Sequence, residues 1–133
     1  MEFYSLNHKA KNVSFKHAVI KGLAPDRGLY FPTSIDKLPK SFFESIDKFS
    51  KNEIAFKTIR QFVYPDIPDD KLKKIIDETL CFDFPVVNID ENISTLELFH
   101  GPTMAFKDVG ARFMSRCLSY FNQSEDKPTT VLV

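Results

Sequence analysis

The stretch LELFHGPTMAFKDVGARFM, residues 96–114, changes its pattern twice within a short span. Leu96, Leu98 and Phe99 read as the end of a strand, and Gly101-Pro102 marks a turn. From Asp108 onward Val109, Phe113, Cys117, Tyr120 and Phe121 recur at spacings of three and four, which predicts a helix. KPTTVLV, residues 127–133, then reads as another buried strand. Strand, short loop, helix, strand is the start of a β-α-β unit in a parallel α/β sheet. Ligands in such sheets gather beyond the carboxyl ends of the strands, and Lys107 stands at that place. Phe99, Met104 and Phe106 are expected to surround it with apolar surface, and a helix N-terminus beside it opposes positive charge. A lysine tuned below its usual pKa of ~10.4 has the nucleophilic amine that Schiff-base chemistry with an aldehyde requires. An ordinary solvated lysine on the first turn of a helix is the competing reading, and the residues alone leave it open.

Upstream, the pattern is helical and rich in phenylalanine. SFKHAVIK (14–21) places Phe15, Ala18 and Val19 on one face, with Ser14 as N-cap and Gly22 as the stop. In APDRGLYFP (24–32), Pro25-Asp26 and Gly28 form a turn, and Leu29-Tyr30-Phe31 a short strand closed by Pro32. KSFFESIDKF (40–49) carries Phe42, Phe43, Ile46 and Phe49 at helical spacing. NEIAFKTIRQFV (52–63) repeats the pattern with Ile54, Ala55, Thr58, Ile59, Phe62 and Val63. DDKLKKIIDETL (69–80) puts Leu72, Ile75, Ile76 and Thr79 on one face, with acids early in the helix. After CFDFP (81–85), VVNI and STLELF are strand-like. The expected architecture is α/β: a small helix-rich N-terminal domain over residues 1–80, then the first β-α-β portion of a second domain over 81–133. The chain stops inside its last strand with no turn after it, so we expect the N-terminal part of a longer polypeptide.

Composition narrows the function classes. Lys+Arg and Asp+Glu both number 18, so no global field draws in nucleic acid or an anionic membrane. No apolar run approaches the ~20 residues of a membrane span, and the first residues lack a signal-peptide pattern. Cys81 and Cys117 lie far apart without metal spacing, as expected for reduced thiols in a cytoplasmic protein that binds no metal. With 14 Phe and no Trp, aromatic stripes read first as packing.

LELFHGPTMAFKDVGARFM closely resembles the segment that carries the pyridoxal-phosphate (PLP) lysine in the threonine synthase family, whose members are fold-type II PLP enzymes. GLAPDRGLYFP (22–32) resembles the N-terminal signature of that family, and the spacing between the two segments suits it. Related PLP lyases often have Ser before Phe-Lys; Ala105 here is similar to threonine synthases rather than the wider group. The resemblance implies that Lys107 is the Schiff-base lysine. It also implies that the full-length enzyme converts O-phospho-L-homoserine and water to L-threonine and phosphate. A phospho-lyase of similar build, and a non-catalytic interaction module that keeps the segment as scaffold, are the alternatives.

Around Lys107 each residue has two readings. Phe106 packs, or shapes the cofactor wall. Arg112 pairs with Asp108 four residues earlier, or reaches the substrate phosphate. Thr103 closes the turn, or contacts that phosphate; His100 bonds to backbone, or shuttles protons. Arg27 and Gly28 read as turn and domain-docking residues, with Gly28 supplying an unusual backbone angle. The only glycines, Gly22, Gly28, Gly101 and Gly110, stand alone, so no Gly-rich loop cradles a cofactor phosphate. In the family that loop and the pyridine-nitrogen partner come later. The chain by itself is therefore expected to be inactive, to depend on the remainder of the catalytic domain, and to self-associate through an unpaired strand edge.

Overall fold

Phe3, Tyr4 and Ser5 open the chain as strand β1 (Phe3–Ser5), paired antiparallel with β2 (Tyr30–Pro32) in the register Phe3↔Pro32, Tyr4↔Phe31, Ser5↔Tyr30. The computed structural model describes residues 1–123 and 130. Between the two strands lies α1 (Phe15–Lys21), where Ser14 Oγ accepts from His17 N and Gly22 ends the helix at φ 69°.

The helical pattern over 40–49 resolves into two pieces, α2 (Lys40–Glu44) and a 3₁₀ turn (Ile46–Lys48). Ser45 Oγ donates to Ser41 O at 2.7 Å, and its backbone leaves the helical region at φ −125°. Phe42 is buried with Phe49 stacked on it, whereas Phe43 and Ile46 are exposed.

α3 (Lys51–Val63) begins with a capping box: Ser50 Oγ accepts from Glu53 N at 3.3 Å, and the Glu53 carboxylate accepts from Ser50 N at 2.8 Å. α4 (Asp69–Thr79) follows, with Asp69 and Asp70 at its positive end. Its Leu72, Ile75, Ile76 and Thr79 are all buried, the face that the spacing predicts. After a hairpin, α5 (Asp108–Asn122) returns to the same core. Cys117 and Phe121 of α5 cluster with Val63, Ile67, Leu72, Ile75 and Ile76, and Phe15, Val19, Ile59 and Phe62 close the sides. Each fully buried aliphatic or Phe side chain contributes roughly 1.5–3 kcal/mol, more than the ~1 kcal/mol of a cap. Packing therefore holds α4 and α5, neither of which has a side-chain cap at its start. Burial pushes the Cys117 thiol up to about 12, which keeps it neutral in this core. Cys81 is free and exposed.

VVNI and the first part of STLELF form β3 (Val86–Asp90) and β4 (Ile93–Leu96), which pair antiparallel with each other. An irregularity at Ile89 shifts the register between Asn88 and Asp90. Every residue of both strands is exposed. The expected strand over 127–133 falls outside the described residues, Thr130 excepted. No helix among the described residues is long and apolar enough to cross a membrane.

Candidate active site

β4 ends at Leu96, and the chain runs through a loop before α5 begins at Asp108. His100 Nε2–H donates to the Glu97 carboxylate at 2.6 Å and its ring stacks on Phe99, so its partner is a side chain and not backbone. Met104 N donates to Gly101 O at 3.0 Å and closes a turn that leaves Met104 at φ 56°. Asp108, only 5% exposed, accepts from Thr103 N at 3.0 Å and from Thr103 Oγ1 at 2.6 Å. Its own N–H donates to Ala105 O at 3.1 Å. A Cβ on Gly101 would lie 2.8 Å from Asp108 Cβ and Cγ and collide with Oδ2, so only glycine fits against this carboxylate. The Thr103 hydroxyl above all, with the Thr103 and Ala105 backbone and the charge of Arg112, holds the Asp108 carboxyl below its usual range despite burial.

Lys107 lies in this frame at the N-cap of α5, with helical backbone angles (φ −68°, ψ −14°). Its carbonyl accepts from Ala111 N at 2.9 Å. The side chain is exposed, and its amine makes no hydrogen bond or ion pair among the described residues. The expected apolar surround does not form: Met104 is 78% and Phe106 67% exposed, and Phe99 is also exposed.

The Asp108–Arg112 surface pair is likewise absent, because Asp108 turns inward to Thr103. Arg112 Nη2 instead donates to Glu78 O at 2.8 Å and contacts Cys81 Sγ at 3.2 Å. Arg112 Nε is shielded from solvent and meets no acceptor among the described residues. Loop and helix start are thus joined by Thr103 and Asp108, while Arg112 anchors α5 to the end of α4.

At the other signature, Arg27 rather than Gly28 takes the left-handed backbone, at φ 66°. Gly28 is required for close approach: a Cβ there would meet Ser5 Oγ and lie 2.9 Å from Asn7 N. The organising residue is Asp26, which accepts from Ser5 Oγ at 2.6 Å, Lys9 N at 2.9 Å and Gly28 N at 3.0 Å. These bonds, that of Ser5 foremost, hold its carboxyl below the usual range. Sequence reasoning missed the parts of Asp26 and Asp108, since bonds to partners off the helical repeat leave no periodic trace. The Asp-x-Gly spacing of 26–28 is the one local signal of an Asx turn.

The family model described as threonine synthase N terminus matches residues 2–80, more than half of the chain. The chain belongs to the threonine synthase family. A threonine synthase of Escherichia coli (strain K12) is 37% identical over 135 residues, covering 99% of this chain and 30% of that protein. The solved PLP-bound threonine synthase of Brucella melitensis superposes with a TM-score of 0.87 at 31% identity, over 92% of this chain and 27% of that one. The yeast threonine synthase structure gives 0.84 at 36% identity, over 92% and 26%. This chain thus spans about 30% of the length of the E. coli threonine synthase it matches. The mixed helix-and-strand fold expected from the sequence is that of the matching part of these enzymes.

Proposed function

We propose that this chain forms the N-terminal part of a threonine synthase and that Lys107 is the amine to which PLP attaches. The enzyme converts O-phospho-L-homoserine and water to L-threonine and phosphate. The observation that carries this reading is an exposed Lys107 amine, unpaired among the described residues, on a loop pinned on either side of it by the Thr103–Asp108 pair. The fit is to the aldehyde of the cofactor: a lysine engaged in an ion pair would have to break it before reacting, and Lys107 has none among the described residues. PLP, when bound, serves as an electron sink for carbanion chemistry. Lys107 Nζ would hold the cofactor and, once released, would carry protons between substrate atoms. Phe106 beside it supplies apolar surface for the cofactor wall. Of the two candidates for the substrate phosphate, Thr103 has both donors engaged with Asp108, and a phosphate role requires leaving it. Arg112 has Nη2 engaged with Glu78 and Cys81.

The cradle for the cofactor phosphate comes from the remainder of the catalytic domain. Residues 1–80 constitute the N-terminal domain and 81–133 the start of the PLP domain, with α5 docked on α1 and α4. The uncovered β3–β4 hairpin offers a surface for that remainder, and for self-association when it is missing. The enzyme works in the cytoplasm. The test uses the assembled enzyme, this chain together with the rest of the catalytic domain. Wild type releases threonine and phosphate, and Lys107→Ala loses turnover by about 10²–10⁴-fold or more. Turnover retained by Lys107→Ala overturns the assignment; release of a keto acid in place of threonine makes the enzyme a phospho-lyase.

A further inference from the structure

Both carboxylate oxygens of Asp108 go to one residue, Thr103, and both Thr103 donors go to Asp108. An acid that served only the positive end of α5 would stay solvated, whereas Asp108 is buried against Gly101. The set is chemically matched: two donors meet two acceptors, and an amide at 108 would turn a donor toward a donor. Glycine at 101 leaves the room that the carboxylate fills. The ring so closed spans residues 103–108, and Lys107 is inside it, one residue from the anchored carboxylate. Its backbone is tied on both sides, by Asp108 N to Ala105 O and by Ala111 N to Lys107 O. The side chain alone is left to move.

We infer that Thr103 and Asp108 are positioning residues for Lys107: their paired hydrogen bonds hold the loop so that the amine projects from one fixed point. This rests on the reading of Lys107 as the attachment lysine. It assigns the Thr103 hydroxyl to the protein and not to a substrate phosphate. Reacting groups displaced by about 1 Å lose on the order of 10²-fold in rate, so loosening the clamp slows attachment without abolishing it.

The experiment follows covalent attachment of PLP to the assembled apoenzyme, with no substrate present, by borohydride trapping over time and peptide mapping. Thr103→Val and Asp108→Asn should slow labelling of Lys107 by roughly 10–100-fold. Thr103→Ser, which keeps the hydroxyl, should label at close to the wild-type rate, both Thr103 variants being compared well below their melting temperatures. Should Asp108→Asn fail to fold, the Val–Ser pair decides. Labelling of Thr103→Val at the wild-type rate overturns the clamp and leaves Lys107 as the attachment lysine. Equal slowing in Thr103→Ser and Thr103→Val also overturns it, since the hydroxyl would then not matter. Wild-type label on another lysine removes both readings together.

Discussion

α4 and the β3–β4 hairpin lie close together in sequence and are built on opposite terms. Each has an apolar pattern, but α4 buries its whole stripe while the hairpin buries nothing. Leu72 is 0% exposed and Ile89 66%. α4 meets α3 on one side and α5 on the other, so three helix faces make a core among themselves. The hairpin's strands pair with each other, and every residue of both stays exposed. An isolated two-stranded hairpin is marginal in water; just before this one, Lys51 of α3 bonds to Phe82 O and the Asp83 carboxylate. A periodic pattern therefore states which residues seek cover, and the rest of the fold decides whether cover is supplied.

The comparison breaks most readily at its buried side. Leu72→Ala removes a fully enclosed side chain and should cost about 2–5 kcal/mol, a large share of the stability of a small domain. Urea unfolding should show a much lower midpoint. Ile89→Ala in the same chain should stay within about 0.5 kcal/mol of wild type, but should destabilise the assembled enzyme, where the proposed domain covers the hairpin. Equal effects of the two substitutions on this chain would erase the contrast.

Gly28→Ala tests close packing of a different kind, the knot between β1 and the turn before β2. The added methyl meets Ser5 Oγ and Asn7 N, and overpacking of this sort costs about 1–3 kcal/mol. A lowered melting temperature is expected; an unchanged one would show that Ser5 can turn aside without loss.

A smaller effect is expected from acid. The Asp26 and Asp108 carboxyls are both held below their ordinary range, so the unfolded chain binds these protons more tightly than the folded one. Their stabilisation is present above the unfolded value of ~3.9 and is lost as pH falls through the lower folded values. Asp26→Asn should be less stable than wild type at neutral pH, with the two converging below about pH 4. Urea midpoints measured from pH 7 to 2.5 check this, and parallel curves would contradict it.

The helices were legible where a stripe has one period and one partner face. Leu72, Ile75, Ile76 and Thr79 of α4, and Cys117 and Phe121 of α5, are buried as their spacing predicts. The period alone could not show the break at Ser45, which depends on a side-chain bond to Ser41 O. Nor did it show that β3 and β4 pair with each other, because strand character does not name a partner. Around the site, position was legible and environment was not. Lys107 stands at the loop-to-helix junction as expected, while Phe99, Met104 and Phe106, read as its apolar surround, are exposed. Hydrophobicity in sequence gives no direction to a loop side chain, and the bonds of Asp108 to Thr103 that shape this loop leave no periodic trace.

The central claim is that Lys107 is the residue to which the cofactor attaches, and one measurement bears on it directly. Borohydride reduction of the assembled holoenzyme, followed by proteolysis and mass spectrometry, fixes the cofactor to whichever lysine holds it. The pyridoxyl group should be found on the peptide containing Met104, Ala105, Phe106 and Lys107, at Lys107. A label at Lys57 or Lys127, with Lys107 unmodified, would contradict the account.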